Sequence, residues 1–258
     1  VFITGIIGYP LKTTFSPMMH NAVFKELNIG GIYLPLPVEK QQLKKAMTGL
    51  RALGFRGVNI TTPYKEKVIE FLDEIEGEAG TIGAVNTVVV ENNRLIGYNT
   101  DIYGFNKSLH RYKIDVRDKN VMLIGAGGAA RACAHVIEKK SPKKFLITNR
   151  TNNKSEIFPQ LFNVITIDFA KIDMVIPIMD IVINATSVNM QRRVIPLMKK
   201  QTVYYDVNYK FRMPKQRGIK MINGLSMLVF QGAQSFSLWT GKEMPIAVVE
   251  KIVGLKNG

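Results

Sequence analysis

Apolar and polar positions along this chain switch between the two-residue period of strands and the three-to-four-residue period of helices. The apolar run from Phe2 to Gly8 closes on Gly8-Tyr9-Pro10, which predicts a strand and then a turn. Ser16-Pro17 follows, with Ser16 as an N-cap and proline at the first helical position, and Met19, Val23, Phe24 and Leu27 recur at helical spacing. Ile32 to Leu36 reads as a second strand. Leu43, Ala46, Met47, Leu50 and Leu53 mark one face of a second helix. Gly57 to Ile60 predicts a third strand ending at Thr61-Thr62-Pro63, and Tyr64 to Leu72 a short helix. Gly83 to Val90 and Leu95 to Gly97 read as two strands joined at Asn92-Asn93.

Beyond Tyr98 to Phe105 the pattern starts afresh. Val121 to Ile124 is apolar throughout, as a fully buried strand requires, and a helix is predicted from Ala129 to about Lys140. Lys144 to Thr148, Ile181 to Asn184 and Val203 to Val207 are further buried strands. Leu228, Phe236 and Trp239 place a packed helix over 226–239, and Pro245 to Val253 predicts another. Strands alternating with helices point to the α/β class.

Composition narrows the partners. The 258 residues include 35 Lys and Arg against 20 Asp and Glu, a net charge of +15, with 46% hydrophobic residues. Such a balance favours anionic partners. Nine of the basic residues fall between Asn184 and Lys220, where Asp206 is the lone acid. No helix-turn-helix spacing, zinc finger or aromatic RNA-binding signature accompanies them, so a solvated face and not a nucleic-acid surface is expected. The most apolar stretch, Met174 to Ile183, is broken by Pro177 and Asp180, so no membrane span and no membrane partner are expected. No segment reads as a signal peptide. Cys133 stands alone, without a disulfide partner or a zinc-type cluster, which suits a reducing cytoplasm and leaves no metal site. His110 and His135 lack neighbours at ligand spacing, and His20, on the first helix among apolar residues, is expected to pack or hydrogen-bond near the site and not to bind metal.

The strongest local signal is Gly125-x-Gly127-x-x-Ala130, after a strand and opening a helix. Its glycines permit a tight turn and close approach of backbone amides to a pyrophosphate at the helix N-terminus, the signature of dinucleotide binding. At the end of the next strand, where an acid would bond a ribose hydroxyl of NAD, the chain reads Thr148-Asn149-Arg150-Thr151 with Lys154 close behind. A guanidinium and an ammonium there suit the 2′-phosphate of NADP. Lys65 follows Asn59-Ile60-Thr61-Thr62-Pro63, beyond the C-terminal end of a strand, where open α/β sheets bind ligands. Asn99-Thr100-Asp101 sits at the inferred domain junction. A Lys and an Asp meeting at such a place form a proton-transfer pair, but each alone reads as a surface charge and spacing does not bring them together.

Taken in order, these segments resemble the shikimate dehydrogenase family nearly end to end. The family's substrate signature is similar to Gly8-Tyr9-Pro10, Thr14-Phe15-Ser16-Pro17 and His20-Asn21, and its catalytic-lysine motif to Asn59-Ile60-Thr61-Thr62-Pro63-Tyr64-Lys65. Gly83-Ala84-Val85-Asn86-Thr87, Gly97-Tyr98-Asn99-Thr100-Asp101, the glycine loop, Asn149-Arg150-Thr151, Asn184-Ala185-Thr186-Ser187 and Asn223-Gly224-Leu225-Ser226-Met227-Leu228 continue the match. The resemblance implies reversible, NADPH-dependent reduction of 3-dehydroshikimate to shikimate, with Lys65 and Asp101 as the catalytic pair. It further implies that Thr14 and Ser16 hold the substrate carboxylate with Tyr209, and that Asn59, Thr61, Asn86, Asp101 and Gln231 bind ring hydroxyls. The cofactor is implied on Gly125, Ala126, Gly127, Gly128 and Ala129, on Asn149, Arg150, Thr151 and Lys154, and on Val207 and Met227, with Ala185, Thr186, Ser187 and Gly224 lining its nicotinamide and ribose side.

Three departures from the family pattern stand out. Thr14 replaces the usual Ser and adds a methyl at the carboxylate end, which opens the choice between shikimate and quinate. The stretches Val188 to Arg193 and Lys210 to Pro214 both look shortened. The architecture implied is two α/β domains: a substrate domain with a mostly parallel sheet, residues 1–101 completed by C-terminal helices 229–258, and a Rossmann-like, doubly wound NADP domain, residues 102–228, with the active-site cleft between them. A small-molecule substrate and a monomer or homodimer are expected. The alternatives carried forward are a quinate/shikimate dehydrogenase of broader specificity and a non-catalytic NADP-binding relative.

Overall fold

A computed structural model describes residues 1–11, 14–151 and 158–255. The chain forms two compact units, residues 1–104 with 228–258, and residues 105–227.

The first unit is built on a six-stranded sheet in the order β2-β1-β3-β5-β6-β4. β1 (Phe2–Gly8), α1 (Ser16–Glu26), β2 (Gly31–Pro37), α2 (Leu43–Ala52) and β3 (Phe55–Ile60) form two successive β-α-β crossovers, and β1 pairs in parallel with both β2 and β3. β5 (Thr87–Glu91) and β6 (Arg94–Tyr98) add an antiparallel hairpin, and the two-residue β4 (Glu74–Ile75) pairs in parallel with β6 at the edge. Its turn is Asn92-Asn93, both at positive φ (48° and 61°), the conformation a two-residue hairpin turn demands and asparagine tolerates. Side chains alternate across β3, so Val58 and Ile60 face Leu43, Met47 and Leu50 of α2, while Gly57 faces Trp239. On that second face Phe24 and His20 of α1, Tyr33 of β2, and Phe236 and Trp239 of the helix at Leu225–Thr240 stack into an aromatic layer. Trp239 Nε1 donates to the Val88 carbonyl at 3.0 Å, tying this late helix to β5.

The second unit carries a wholly parallel six-stranded sheet in the order β12-β11-β10-β7-β8-β9. Its strands are β7 (Asn120–Ile124), β8 (Lys144–Thr148), β9 (Ile165–Thr166), β10 (Ile181–Asn184), β11 (Val203–Asp206) and β12 (Lys220–Asn223). Counted within the unit this is the order 3-2-1-4-5-6 of the doubly wound dinucleotide fold, and the chain reverses direction of winding between β7 and β10. The strands are buried on both faces, which is why β7 and β10 read as unbroken apolar runs. Met122, Ile124, Leu146, Val182 and Tyr204 pack with Ile172, Ile176 and Met179 beneath them.

Most expected elements are present, and the misses have local causes. Ser16 is the first residue of α1 and not its cap: the cap is Phe15, and Thr14 Oγ1 accepts from the Ser16 amide at 3.3 Å instead. Leu53 lies past the end of α2 and is 67% exposed. The helix expected over 64–72 reduces to a 3-10 segment, Lys67–Phe71. Gly83 does not begin a strand; it is the left-handed C-cap (φ 61°) of a short helix α3, Glu78–Ile82, and β5 starts at Thr87. The crossing region 98–105 runs from the last residue of β6 into the first half of α4, Thr100–Arg111. No helix among the described residues is long and apolar enough to cross a membrane.

Candidate active site

In the first unit the switch of winding lies between β1 and β3, whose C-terminal ends are Gly8 and Ile60. The loops leaving them are joined: the Thr61 amide donates to the Ile7 carbonyl at 2.9 Å and the Tyr9 amide to the Thr62 carbonyl at 3.3 Å. Both loops contain cis prolines, at Tyr9-Pro10 and Thr62-Pro63. From this edge Thr14 and Ser16 enter on the β1 side, Thr61 and Lys65 on the β3 side. Thr14 Oγ1 donates to Ser16 Oγ at 3.2 Å, and Ser16 is 3% exposed.

Lys65 meets Asp101. The ammonium is 2.5 Å from Asp101 Oδ2, with the two side chains 16% and 7% exposed. Three elements enforce the meeting. The Val85 amide donates to the Lys65 carbonyl at 2.8 Å, the Asn86 amide to the Tyr98 carbonyl at 3.0 Å, and Asn86 Oδ1 accepts from the Thr100 amide at 2.6 Å at the start of α4. Asp101 therefore sits in the first turn of a helix, where the aligned amides favour its negative charge.

Behind the pair lies a buried polar network. Tyr33 donates to Asn59 Oδ1 at 2.7 Å, while Asn59 Nδ2 donates to Thr87 Oγ1 at 3.0 Å and Ser235 Oγ at 2.9 Å. Asn86 Nδ2 donates to Thr100 Oγ1 at 3.0 Å and approaches Gln231 Oε1 at 3.4 Å. A polar group in such a place costs stability unless paired, and this network pairs its members. Sequence reading missed Tyr33, Thr87, Thr100 and Ser235. Thr87 and Thr100 adjoin recognised motif residues, and Ser235 is one helical turn from Gln231, whose carbonyl it bonds at 3.0 Å; Tyr33 carries no sequence signal.

In the second unit the switch point brings the β7 and β10 loops together. Gly125 has φ 122°, and a Cβ there would lie 3.0 Å from the Ala185 backbone, so only glycine lets the two loops pass this closely. Gly127 caps α5 (Gly128–Glu138) with no side-chain acceptor, and a Cβ on it would meet nothing within 4 Å. An uncapped helix N-terminus with open space before it, at the switch point of a doubly wound sheet, fits the pyrophosphate of a dinucleotide. Asn149 follows β8 with its Nδ2 bonded to the Thr151 carbonyl at 2.9 Å, and Arg150 is exposed beside it. Lys154 lies outside the described residues.

Asn184 and Asp206 shape the far wall. Asn184 donates to the Val188 carbonyl at 2.9 Å and its Oδ1 accepts from the Thr186 hydroxyl at 2.7 Å, which curls Ala185, Thr186 and Ser187 over the end of β10. Asp206 accepts from Asn184, Tyr204 and the Asn208 amide. Burial holds its carboxyl above the usual carboxylate range, against the pull of those three bonds. Val207, Asn208 and Tyr209 continue from that anchor, half-buried. A Cβ on Gly224 would fall 1.9 Å from the Val207 carbonyl oxygen, so this glycine is required by backbone contact alone. Met227 is buried two residues into the helix that follows. No group of three His, Cys, Asp or Glu among the described residues is placed to hold a metal.

Similarity to known proteins points to one family. Residues 6–88 match the shikimate dehydrogenase substrate binding domain, 108–203 the shikimate / quinate 5-dehydrogenase family, and 224–253 the shikimate 5′-dehydrogenase C-terminal domain. The chain is 43% identical over 275 aligned positions to the shikimate dehydrogenase (NADP(+)) of Carboxydothermus hydrogenoformans, covering 98% of this chain and 96% of that protein. The crystal structure of shikimate dehydrogenase from Aquifex aeolicus superimposes with a TM-score of 0.88 at 35% identity, covering 98% and 97% of the two chains. That of Thermus thermophilus shikimate 5-dehydrogenase in complex with NADP(H) and shikimate gives 0.86 at 28% identity, covering 98% and 99%. The chain belongs to the shikimate dehydrogenase family.

Proposed function

We propose that this protein is an NADP-dependent oxidoreductase that interconverts 3-dehydroshikimate and shikimate, with Lys65 and Asp101 as its catalytic pair. The observation that carries the reading is the 2.5 Å contact between those two side chains at the switch-point edge of the first sheet. Similarity to NADP-dependent shikimate dehydrogenases over nearly the whole chain supports it.

When bound, the dinucleotide supplies or accepts the hydride at the ring carbon. Gly125 to Ala129 hold its pyrophosphate through backbone amides, and Arg150 and Lys154, with Asn149 and Thr151, hold the 2′-phosphate by charge-assisted hydrogen bonds. Ala185 to Ser187, Val207, Gly224 and Met227 line the nicotinamide side. As the ketone oxygen gains negative charge it requires a proton and a nearby cation, and Lys65 Nζ provides both. Asp101 fixes the ammonium and accepts from the adjacent substrate hydroxyl. Thr14 and Ser16, with Tyr209, receive the carboxylate. Thr61, Asn86 and Gln231 bind ring hydroxyls, and Asn59 contributes from within the polar network it anchors. Hydroxyl-specific contacts of this kind reject analogues lacking a hydroxyl strongly.

Thr14 favours a second reading, a quinate/shikimate dehydrogenase, because its methyl alters the carboxylate end. The enzyme acts as a monomer or homodimer, and its lone buried Cys133 suits the cytoplasm. Initial rates of NADP and NAD reduction with shikimate and with quinate test all of this. Turnover confined to shikimate with NADP is expected. Comparable rates with quinate select the second reading, and no turnover in protein that binds NADP overturns both.

A further inference from the structure

The second unit carries a concave basic site that the dehydrogenase reaction does not use. A cavity of about 520 Å³ opens between the end of α4, the loop that follows it and the end of α5, lined by Leu109, His110, Lys113, Ile114, Asp115, Arg117, Lys139 and Lys140. Four lysine or arginine side chains face one acid there. The cavity sits at the C-terminal end of α5, opposite the glycine loop. Eleven residues of helix put about 16 Å between them, so this is not the dinucleotide site.

The frame of the cavity is fixed. Ile114 and Val116 are 9% and 1% exposed and anchor the loop, the Ile114 amide bonds the Leu109 carbonyl at 2.9 Å, and the Lys113 amide bonds the His110 carbonyl at 3.0 Å. On the other side the Asp118 amide bonds the Ser141 carbonyl and the Lys143 amide the Lys119 carbonyl, which clamps this loop to the one after α5. The charged side chains are therefore displayed from a fixed backbone.

Cations near helix C-termini are favourable in their own right, and this accounts for His110, Lys139 and Lys140. It does not account for Lys113 and Arg117, which lie beyond the last turn of α4. Among the described residues no acid pairs with Lys113, Arg117 or Lys140, and Asp115 is engaged locally, accepting from the Arg117 amide at 3.0 Å. Like charges gathered in a hollow repel one another and focus a positive potential there. An anion with several charges relieves that repulsion, and the volume exceeds what a single phosphate fills. The floor is apolar, Leu109 and Ile114. From this juxtaposition we infer that the cavity binds a small phosphorylated anion bearing at least two phosphate charges, at a site separate from that of the cofactor.

The test is titration of the NADP-saturated protein with tripolyphosphate, followed by amide chemical shifts and by thermal shift, against sodium chloride at matched ionic strength. Saturating NADP removes the dinucleotide site from the signal. Saturable binding that perturbs amides of residues 109–117 and 139–141 is expected. The double variant Lys113→Glu with Arg117→Glu should weaken binding at least about tenfold while leaving kcat and the KM for NADP unchanged. Both side chains are exposed, and the single variant Arg117→Gln serves if the double one does not fold. Absence of saturation, perturbation centred elsewhere, or unchanged affinity in the variants overturns the site. A short single-stranded oligonucleotide that binds the same residues more tightly than tripolyphosphate overturns the small-molecule assignment.

Discussion

Lys65 Nζ and Asp101 Oδ2 stand 2.5 Å apart although 36 positions separate them in the chain. The carboxylate fixes where the ammonium sits, and in the proposed reaction that ammonium supplies the proton and the positive charge for reduction. Lys65→Ala removes both, so kcat should fall by about 10²- to 10⁴-fold, with the KM for NADP little changed. Asp101→Asn keeps the shape but not the charge and should lower kcat less than Lys65→Ala. Steady-state kinetics with shikimate checks this; an unchanged kcat in Lys65→Ala removes the lysine from the mechanism.

Ser235 tests whether the buried network supports the substrate side. Its hydroxyl lies 2.9 Å from Asn59 Nδ2, 2.9 Å from Thr87 Oγ1 and 3.1 Å from Thr100 Oγ1, and the residue is fully buried. Ser235→Ala leaves these groups short of a partner, at a cost of about 1–3 kcal/mol in unfolding free energy. The KM for shikimate should rise while the KM for NADP stays put. Denaturant melts and kinetics measure the two effects separately.

What the sequence disclosed and what it withheld divide along locality. The glycine loop was legible because strand, turn and helix follow one another without a break from Asn120 to Glu138, and β7, β8 and β10 because a strand buried on both faces writes an apolar run. β9 and β12 were not: two residues show no alternation, and β12 opens on a lysine. Gly83-Ala84-Val85 imitates a strand start because small apolar residues suit both a helix cap and an extended run. The convergence of Lys65, Asp101, Asn86 and Gln231 depends on β5 and on the return of the helix at 225–240, contacts up to 145 positions apart. No spacing rule reads such a contact; only resemblance to a family pointed to it.

Arg150 should decide the choice of dinucleotide. It is exposed, just past the end of β8, and Thr148 to Thr151, where a ribose hydroxyl would be held, include no acid. Arg150→Ala removes a charge-assisted, two-pronged partner for the 2′-phosphate, so the KM for NADP should rise about 10- to 100-fold and that for NAD hardly move. Equal changes for both dinucleotides would place the guanidinium elsewhere than at the 2′-phosphate.

His20 gives the fold an acid limit of its own. Its ring stacks on Tyr33 at 4.3 Å between centroids, with Trp239 at 5.4 Å and Phe236 at 6.1 Å, and neither nitrogen has a partner. Complete burial lowers the imidazole pKa from 6.5 to about 3. The unfolded chain thus binds a proton that the native chain refuses. Stability from His20 is fully present above pH 6.5 and is lost as pH falls from 6.5 towards 3, at a limiting slope of about 1.4 kcal/mol per pH unit. His20→Phe keeps a stacked ring and removes the titration. Unfolding free energies of the two proteins, measured between pH 7.5 and 4.5, should therefore diverge below 6.5, the variant falling less steeply. Parallel curves would mean that the native ring takes up its proton at its ordinary pKa, which requires water or a carboxylate to reach it.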